Sequence, residues 1–155
     1  MADTGHFAVV EAATLEWPTS LRLPSKRFRL LVAADASGLS TEKISNFAHC
    51  ALSAGMVYFC AWGKGAERFH DLVDAVIVQD ELGDRRFALP TADDVIMTTW
   101  HEDETLDEVL EFFTTSALPT DGFLANSRYW LVICIENPEW ASITTRVLTE
   151  AKNLL

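Results

Sequence analysis

Apolar residues along the chain fall into two kinds of pattern. The first is a short unbroken run, and it occurs four times: Arg29-Leu30-Leu31-Val32-Ala33-Ala34, Met56-Val57-Tyr58-Phe59-Cys60-Ala61, Val95-Ile96-Met97-Thr98-Thr99 and Tyr129-Trp130-Leu131-Val132-Ile133-Cys134-Ile135. Continuous hydrophobicity, in place of strict alternation, is what a strand covered on both faces of a parallel sheet requires. All four are therefore expected as buried strands. Ala75-Val76-Ile77-Val78 fits either a fifth strand or the end of the preceding helix, and residues 7–10 fit an edge strand.

Between these runs the apolar period lengthens to that of a helix. Ile44, Phe47, Ala48, Ala51 and Leu52 share one stripe, with Ser40 or Thr41 as N-cap and Gly55 just past the end. Leu106, Val109, Leu110 and Phe113 repeat it, and Thr105 with Glu108 has the spacing of a capping box. Asn137-Pro138 opens a third helix, with Trp140, Ile143, Val147, Leu148, Ala151 and Leu154 on one side. A weaker pattern covers residues 66–73. Strands and helices in alternation predict βαβ units, and so an α/β fold: one three-layer, Rossmann-like domain around a mostly parallel sheet of four to six strands. Residues 1–26 are expected as an N-terminal edge segment and 27–155 as the α/β core. The loops fall at 15–25, expected to wrap an edge, and at 79–93 and 117–127.

Composition narrows the class. At 155 residues, 49% of them hydrophobic, the chain suits one domain and is too apolar for disorder. No apolar run is long enough to span a bilayer, and the first residues lack the features of a signal peptide. A net charge of −11 argues against direct nucleic-acid or anionic-membrane binding. Cys50, Cys60 and Cys134 are odd in number and widely spaced, which excludes a disulfide framework and points to a cytoplasmic setting.

The charge is not spread evenly. Residues 1–50 carry five acids and five bases, so the whole excess lies in 51–155. Residues 93–111 alone hold eight acids (Asp93, Asp94, Glu102, Asp103, Glu104, Asp107, Glu108, Glu111) and no Lys or Arg. Acids favour a helix N-terminus, but eight without one base exceed that need. Glu104, Asp107, Glu108 and Glu111 are the expected contacts for a basic protein partner. Tryptophans Trp17, Trp62, Trp100 and Trp140 are the expected anchors.

In an open parallel sheet, ligands sit beyond the carboxyl ends of the strands. That rule selects Asp35, Gly63-Lys64-Gly65, Thr98-Thr99-Trp100-His101-Glu102 and Glu136. Asp35, His101 and Glu102 are the candidate catalytic groups, and Gly63, Lys64, Gly65, Thr98, Thr99 and Trp100 the candidate ligand contacts. Polar residues at strand ends also serve as ordinary turns and caps. Gly63-Lys64-Gly65-Ala66-Glu67-Arg68 begins like a dinucleotide fingerprint, but Arg68 stands where the third glycine belongs, and no P-loop is present. His70 and Asp74 share a helix face, too few for a metal shell and well suited to local pairing on an exposed face. No metal and no cofactor are expected, and no nucleophile elbow is present.

Cys60-Ala61-Trp62-Gly63, His70-Asp71 and the stretch from Val95 to Asp103, centred on Thr98-Thr99-Trp100-His101, resemble a family of small bacterial proteins with a Rossmann-like domain and no assigned reaction. The resemblance covers roughly residues 28–135. It implies the fold and a bacterial cytoplasmic setting, and it transfers no catalytic residue. Size and acidity are also similar to those of immunity and antitoxin proteins. Three functional expectations follow: an acidic module for a basic protein; a small enzyme or nucleotide-sensing domain binding a phosphate-containing ligand; and a homo-oligomer subunit.

Overall fold

The computed structural model describes residues 2–83 and 89–155. Six strands, β1 (Ala2–Asp3), β2 (Phe7–Ala12), β3 (Phe28–Ala33), β4 (Met56–Trp62), β5 (Met97–His101) and β6 (Tyr129–Ile135), form one sheet in the order β1-β2-β6-β3-β4-β5. Five run parallel, and β1 pairs antiparallel with β2. The helices are α1 (Thr41–Ala54), α2 (Ala66–Leu82), α3 (Leu106–Thr115), the single turn α4 (Asp121–Leu124) and α5 (Pro138–Lys152). The architecture is a single three-layer, Rossmann-like α/β domain.

The continuous apolar runs are explained by burial on both faces. Leu30, Val32, Val57, Phe59, Leu131 and Ile133 meet α1 and α2 on one side. Leu31, Ala33, Tyr58, Cys60, Val132 and Cys134 meet α3 and α5 on the other. Every residue of β3 and β6 is buried, as a central parallel strand demands. The helix signals also hold. Ser40 caps α1, Thr105 and Glu108 close both halves of their capping box, and Asn137 Oδ1 accepts from two amides at the start of α5.

Three expectations need correction, and one open alternative is decided. The Val95–Thr99 run is not a buried strand. β5 begins at Met97, extends through Trp100 to His101, and is the half-exposed edge of the sheet. Pairing with β4, which continues to Trp62, carries it past its apolar stretch. Residues 7–10 belong to β2, which is not an edge, because β1 covers it. Ala75–Val78 belongs to α2, where Val76 and Ile77 are buried. The loop at 15–25 does not merely skirt an edge: Leu15 is buried, and Trp17 packs on Phe28 and Phe47 with ring centroids 5.9 and 5.8 Å apart. Of the 79–93 loop, residues 84–88 lie outside the described residues.

A carboxylate ties the segment before β5 to the turn α4. Asp94 is buried and accepts from Thr120 Oγ1 (2.6 Å), Gly122 N (2.9 Å), Thr91 N (3.0 Å) and Thr91 Oγ1 (2.9 Å). Those donors, Thr120 first, hold its pKa below the ordinary aspartate value. A depressed carboxyl stabilises the fold above its unfolded pKa, near 3.9, and loses that contribution as pH falls through the lower folded value. Asp94→Asn is therefore expected to lower the thermal midpoint at neutral pH and to narrow its difference from wild type under acid, measured by thermal melts between neutral pH and about pH 2.

Candidate functional site

The strand order creates two places where neighbouring strands send their chains to opposite faces, the positions at which open α/β sheets form crevices. The first lies between β3, which leads to α1, and β6, which leads to α5. The second lies between β4, which leads to α2, and β5, which leads to α3.

At the second, backbone meets backbone. Ala34 N donates to Trp62 O (3.0 Å), Ala36 N to Lys64 O (2.8 Å) and Gly63 N to His101 O (3.1 Å). The loops after β3, β4 and β5 are thus laced together. Gly63 and Gly65 have φ of 117° and 77°, and a Cβ on either would overlap backbone of the β3–α1 loop, at the Ala34 carbonyl or at Ser37. Left-handed backbone and close approach together require glycine at both positions. The motif fragment is accounted for by the chain's own packing.

The helix end is occupied as well. Glu102 Oε1 accepts from Glu67 N at 3.1 Å, placing a carboxylate at the N-terminus of α2, where an incoming phosphate would bind. Arg68 reaches away, donating to Leu39 O (2.8 Å) and Ala36 O (3.4 Å). Lys64 is exposed.

Asp35, His101 and Glu102 do not converge. Asp35 is exposed and accepts from Ser37 N (3.0 Å) and Ser37 Oγ (2.5 Å), bonds that hold its pKa below the usual range. His101 turns to the α3 side. Its ring lies 4.8 Å from that of Phe112, its Nδ1 meets Glu104, and its Nε2 is buried with no hydrogen-bond partner among the described residues. Glu102 turns toward α2.

The Thr98–Trp100 segment splits by strand alternation. Thr99 faces the α3 side beside Cys60, its register partner. Thr98 faces α2, where sequence spacing alone did not predict a cluster. Its hydroxyl donates to Asp74 Oδ1 (3.1 Å) and lies 2.9 Å from His70 Nε2, while His70 Nδ1 lies 2.9 Å from Asp71 Oδ1. The i, i+4 pair His70 and Asp74 is therefore not a purely local one; it clasps the edge strand. The visible signal was that spacing, but its target on β5 lies 24 residues beyond Asp74 and could not be read from it. Trp100 also faces α2 and is 41% exposed.

The other tryptophans named as anchors serve the interior. Trp62 and Trp140 meet edge to face at 5.0 Å, Trp62 Nε1 donates to Glu104 O (2.8 Å), and Trp17 is seated on Phe28 and Phe47. Trp100 alone of the four is a large exposed surface residue. Cys60 and Cys134 are free and buried. Burial pushes Cys60 up to about 12 and Cys134 up to about 11, so both stay as thiols at neutral pH. Among the described residues, no cluster of three or more His, Cys, Asp or Glu side chains is arranged to hold a metal ion.

Several carboxylates of the acidic segment have partners within the chain. Asp94 is the buried staple, Glu102 caps α2, Glu108 completes the α3 capping box, Glu104 meets His101, and Asp107 pairs with Arg146 at 3.0 Å. Glu111 accepts from Thr114 and Thr115 only through its backbone carbonyl. The seven acids other than Asp94 are all exposed.

At the first crevice, Ala33 is the register partner of Cys134, which brings Asp35 and Glu136 to equivalent places past the strand ends. Glu136 is exposed and has φ 59°, the only described non-glycine residue with a positive φ.

Residues 10–151 match the domain of unknown function DUF7684, so the chain belongs to that family. No curated protein and no solved structure matches it. No described helix is long and apolar enough to cross a membrane.

Two outcomes follow from the glycine and the strained glutamate. Gly63→Ala forces a Cβ against backbone in a conformation costly to other residues, and is expected to lower unfolding free energy by about 2 kcal/mol or more in urea titrations. Glu136→Gly relieves left-handed strain and is expected to raise it by about 0.5–1 kcal/mol in the same assay.

Proposed function

We propose that this protein is a bacterial cytoplasmic protein-binding module whose acidic surface, around α3 and the turn before it, docks a basic protein, in the manner of an immunity or antitoxin partner. One observation carries the reading. Of the eight acids in residues 93–111, seven remain at the surface, and one of them, Asp107, meets an arginine. Caps and staples account for where several of these carboxylates point, but they leave the negative field uncompensated, and such a field speeds encounter with a positive partner.

A second reading, a small enzyme or nucleotide-sensing domain with its ligand at the strand ends, draws support from Glu136. A non-glycine residue held in left-handed backbone beside the β3–β6 crevice is the kind of strain that gathers at functional sites. The interior bond of the Gly63 amide and the Glu102 carboxylate at the start of α2 weigh against a phosphate there.

The acids whose side chains have no structural role among the described residues make the sharper test. Asp103→Lys with Glu111→Lys leaves the capping box and the His101 and Arg146 contacts in place. Wild-type protein on a resin, exposed to lysate of its native host, is expected to retain a basic protein identifiable by mass spectrometry. The double variant, folded by circular dichroism, is expected to lose it. Equal retention by both would overturn the acidic-surface reading.

A further inference from the structure

The sheet ends differently on its two sides. At one side β1, two residues long and antiparallel, covers β2. At the other, β5 pairs with β4 alone among the described residues. The His101 carbonyl points inward, accepting from Gly63 N. Since successive residues of a strand turn their amide and carbonyl to opposite edges, Thr98 and Trp100 present theirs outward. Proteins commonly blunt such an edge with lysine, proline or a bulge. Met97-Thr98-Thr99-Trp100-His101 contains neither lysine nor proline, and its register with β4 is unbroken.

The surroundings of this edge are apolar at the centre and acidic at the rim. Met97 (36%), Trp100 (41%) and Val95 (43%) are exposed along it, and Val78 and Leu82 are exposed on α2 beside it. A trough of about 660 Å³ lies on α2, lined from Asp71 and Asp74, whose carboxylate accepts from Thr98 of β5, to Leu82 and Gly83. Asp71 and Asp74 stand on the α2 side, Asp93 precedes the strand, and Glu102 and Asp103 follow it. Between Arg68 and Arg128 the sequence has no lysine, and its only arginines are Arg85 and Arg86, which lie outside the described residues.

We infer that the open edge of β5 is the docking strand for an extended, basic segment of a partner protein, which adds to the sheet through the outward amides and carbonyls of Thr98 and Trp100. Strand addition supplies main-chain hydrogen bonds, and alternate side chains of the incoming segment supply specificity. Its apolar side chains cover Trp100 on the α2 face, and its bases meet the acidic rim. A second copy of this chain is disfavoured by the same charge: antiparallel pairing of two β5 strands sets Asp93 of one near Glu102 and Asp103 of the other. This inference rests on the protein-binding reading and adds to it the place and mode of contact.

The test uses the whole protein and a synthetic probe, an acetylated, amidated peptide of sequence Arg-Val-Lys-Val-Arg-Val-Lys. A second peptide of identical charge is N-methylated at two neighbouring central residues, which blocks a hydrogen bond on each edge of the strand. Amide NMR titration is expected to show saturable shifts centred on Thr98 and Trp100, with N-methylation weakening binding at least about tenfold. Equal binding of both peptides, with shifts confined to 103–111, would overturn strand addition while leaving the acidic-surface reading intact. No binding of either peptide would overturn it too, and the lysate capture above then decides whether the broader reading stands. Concentration-dependent doubling of mass without peptide, with β5 amides broadened, would assign the edge to a second copy and overturn the basic partner.

Discussion

The close approach of the loops after β3, β4 and β5 is the constraint from which much of the rest follows. Three backbone hydrogen bonds lace Ala34, Ala36 and Gly63 to Trp62, Lys64 and His101. They form because Gly63 and Gly65 carry no side chain where one would strike the β3–α1 loop. The consequence is chemical as well as structural. Two amides of the kind that a nucleotide-binding loop offers to a phosphate are bonded within the chain, Gly63 N to the His101 carbonyl and Glu67 N to the Glu102 carboxylate at the helix end. A sequence fragment that begins like a dinucleotide fingerprint is thereby converted into packing.

The same economy governs the acidic segment. A carboxylate near a helix N-terminus satisfies free amides and complements the dipole, so Glu102 and Glu108 lie where they do for local reasons. Asp94 goes further, gathering four donors from two separate segments and fixing the approach to β5. These roles and an outward negative field are compatible, because a cap orients a carboxylate without neutralising it. Exposed charges in water each stabilise little, and their value lies in the summed field presented to a partner.

Legibility in the sequence tracked the range of the interaction. The strands β3, β4 and β6 follow from unbroken hydrophobicity, and the caps of α1, α3 and α5 follow from residues within one turn of each other. The limits of β5 do not follow from its apolar content, because they are decided by pairing with β4 as far as Trp62. The cluster of His70, Asp71, Asp74 and Thr98 was visible only as a helical spacing. The proposed catalytic grouping of Asp35, His101 and Glu102 was adjacent in strand-end logic, yet alternation turned His101 and Glu102 to opposite sides. Periodicity places a residue on an element, and only the neighbouring elements give it a partner.

The sequence by itself determined the α/β class, the parallel sheet buried on both faces, the caps that open α1, α3 and α5 and the concentration of acid between residues 93 and 111. Each is a property of residue type and local period. The tertiary structure decided which strand lies at the open edge, which tryptophan remains exposed, and which carboxylates are engaged within the chain. Those outcomes depend on strand order and loop contact, and strand order is settled by packing between segments far apart in sequence, a competition that no local pattern records.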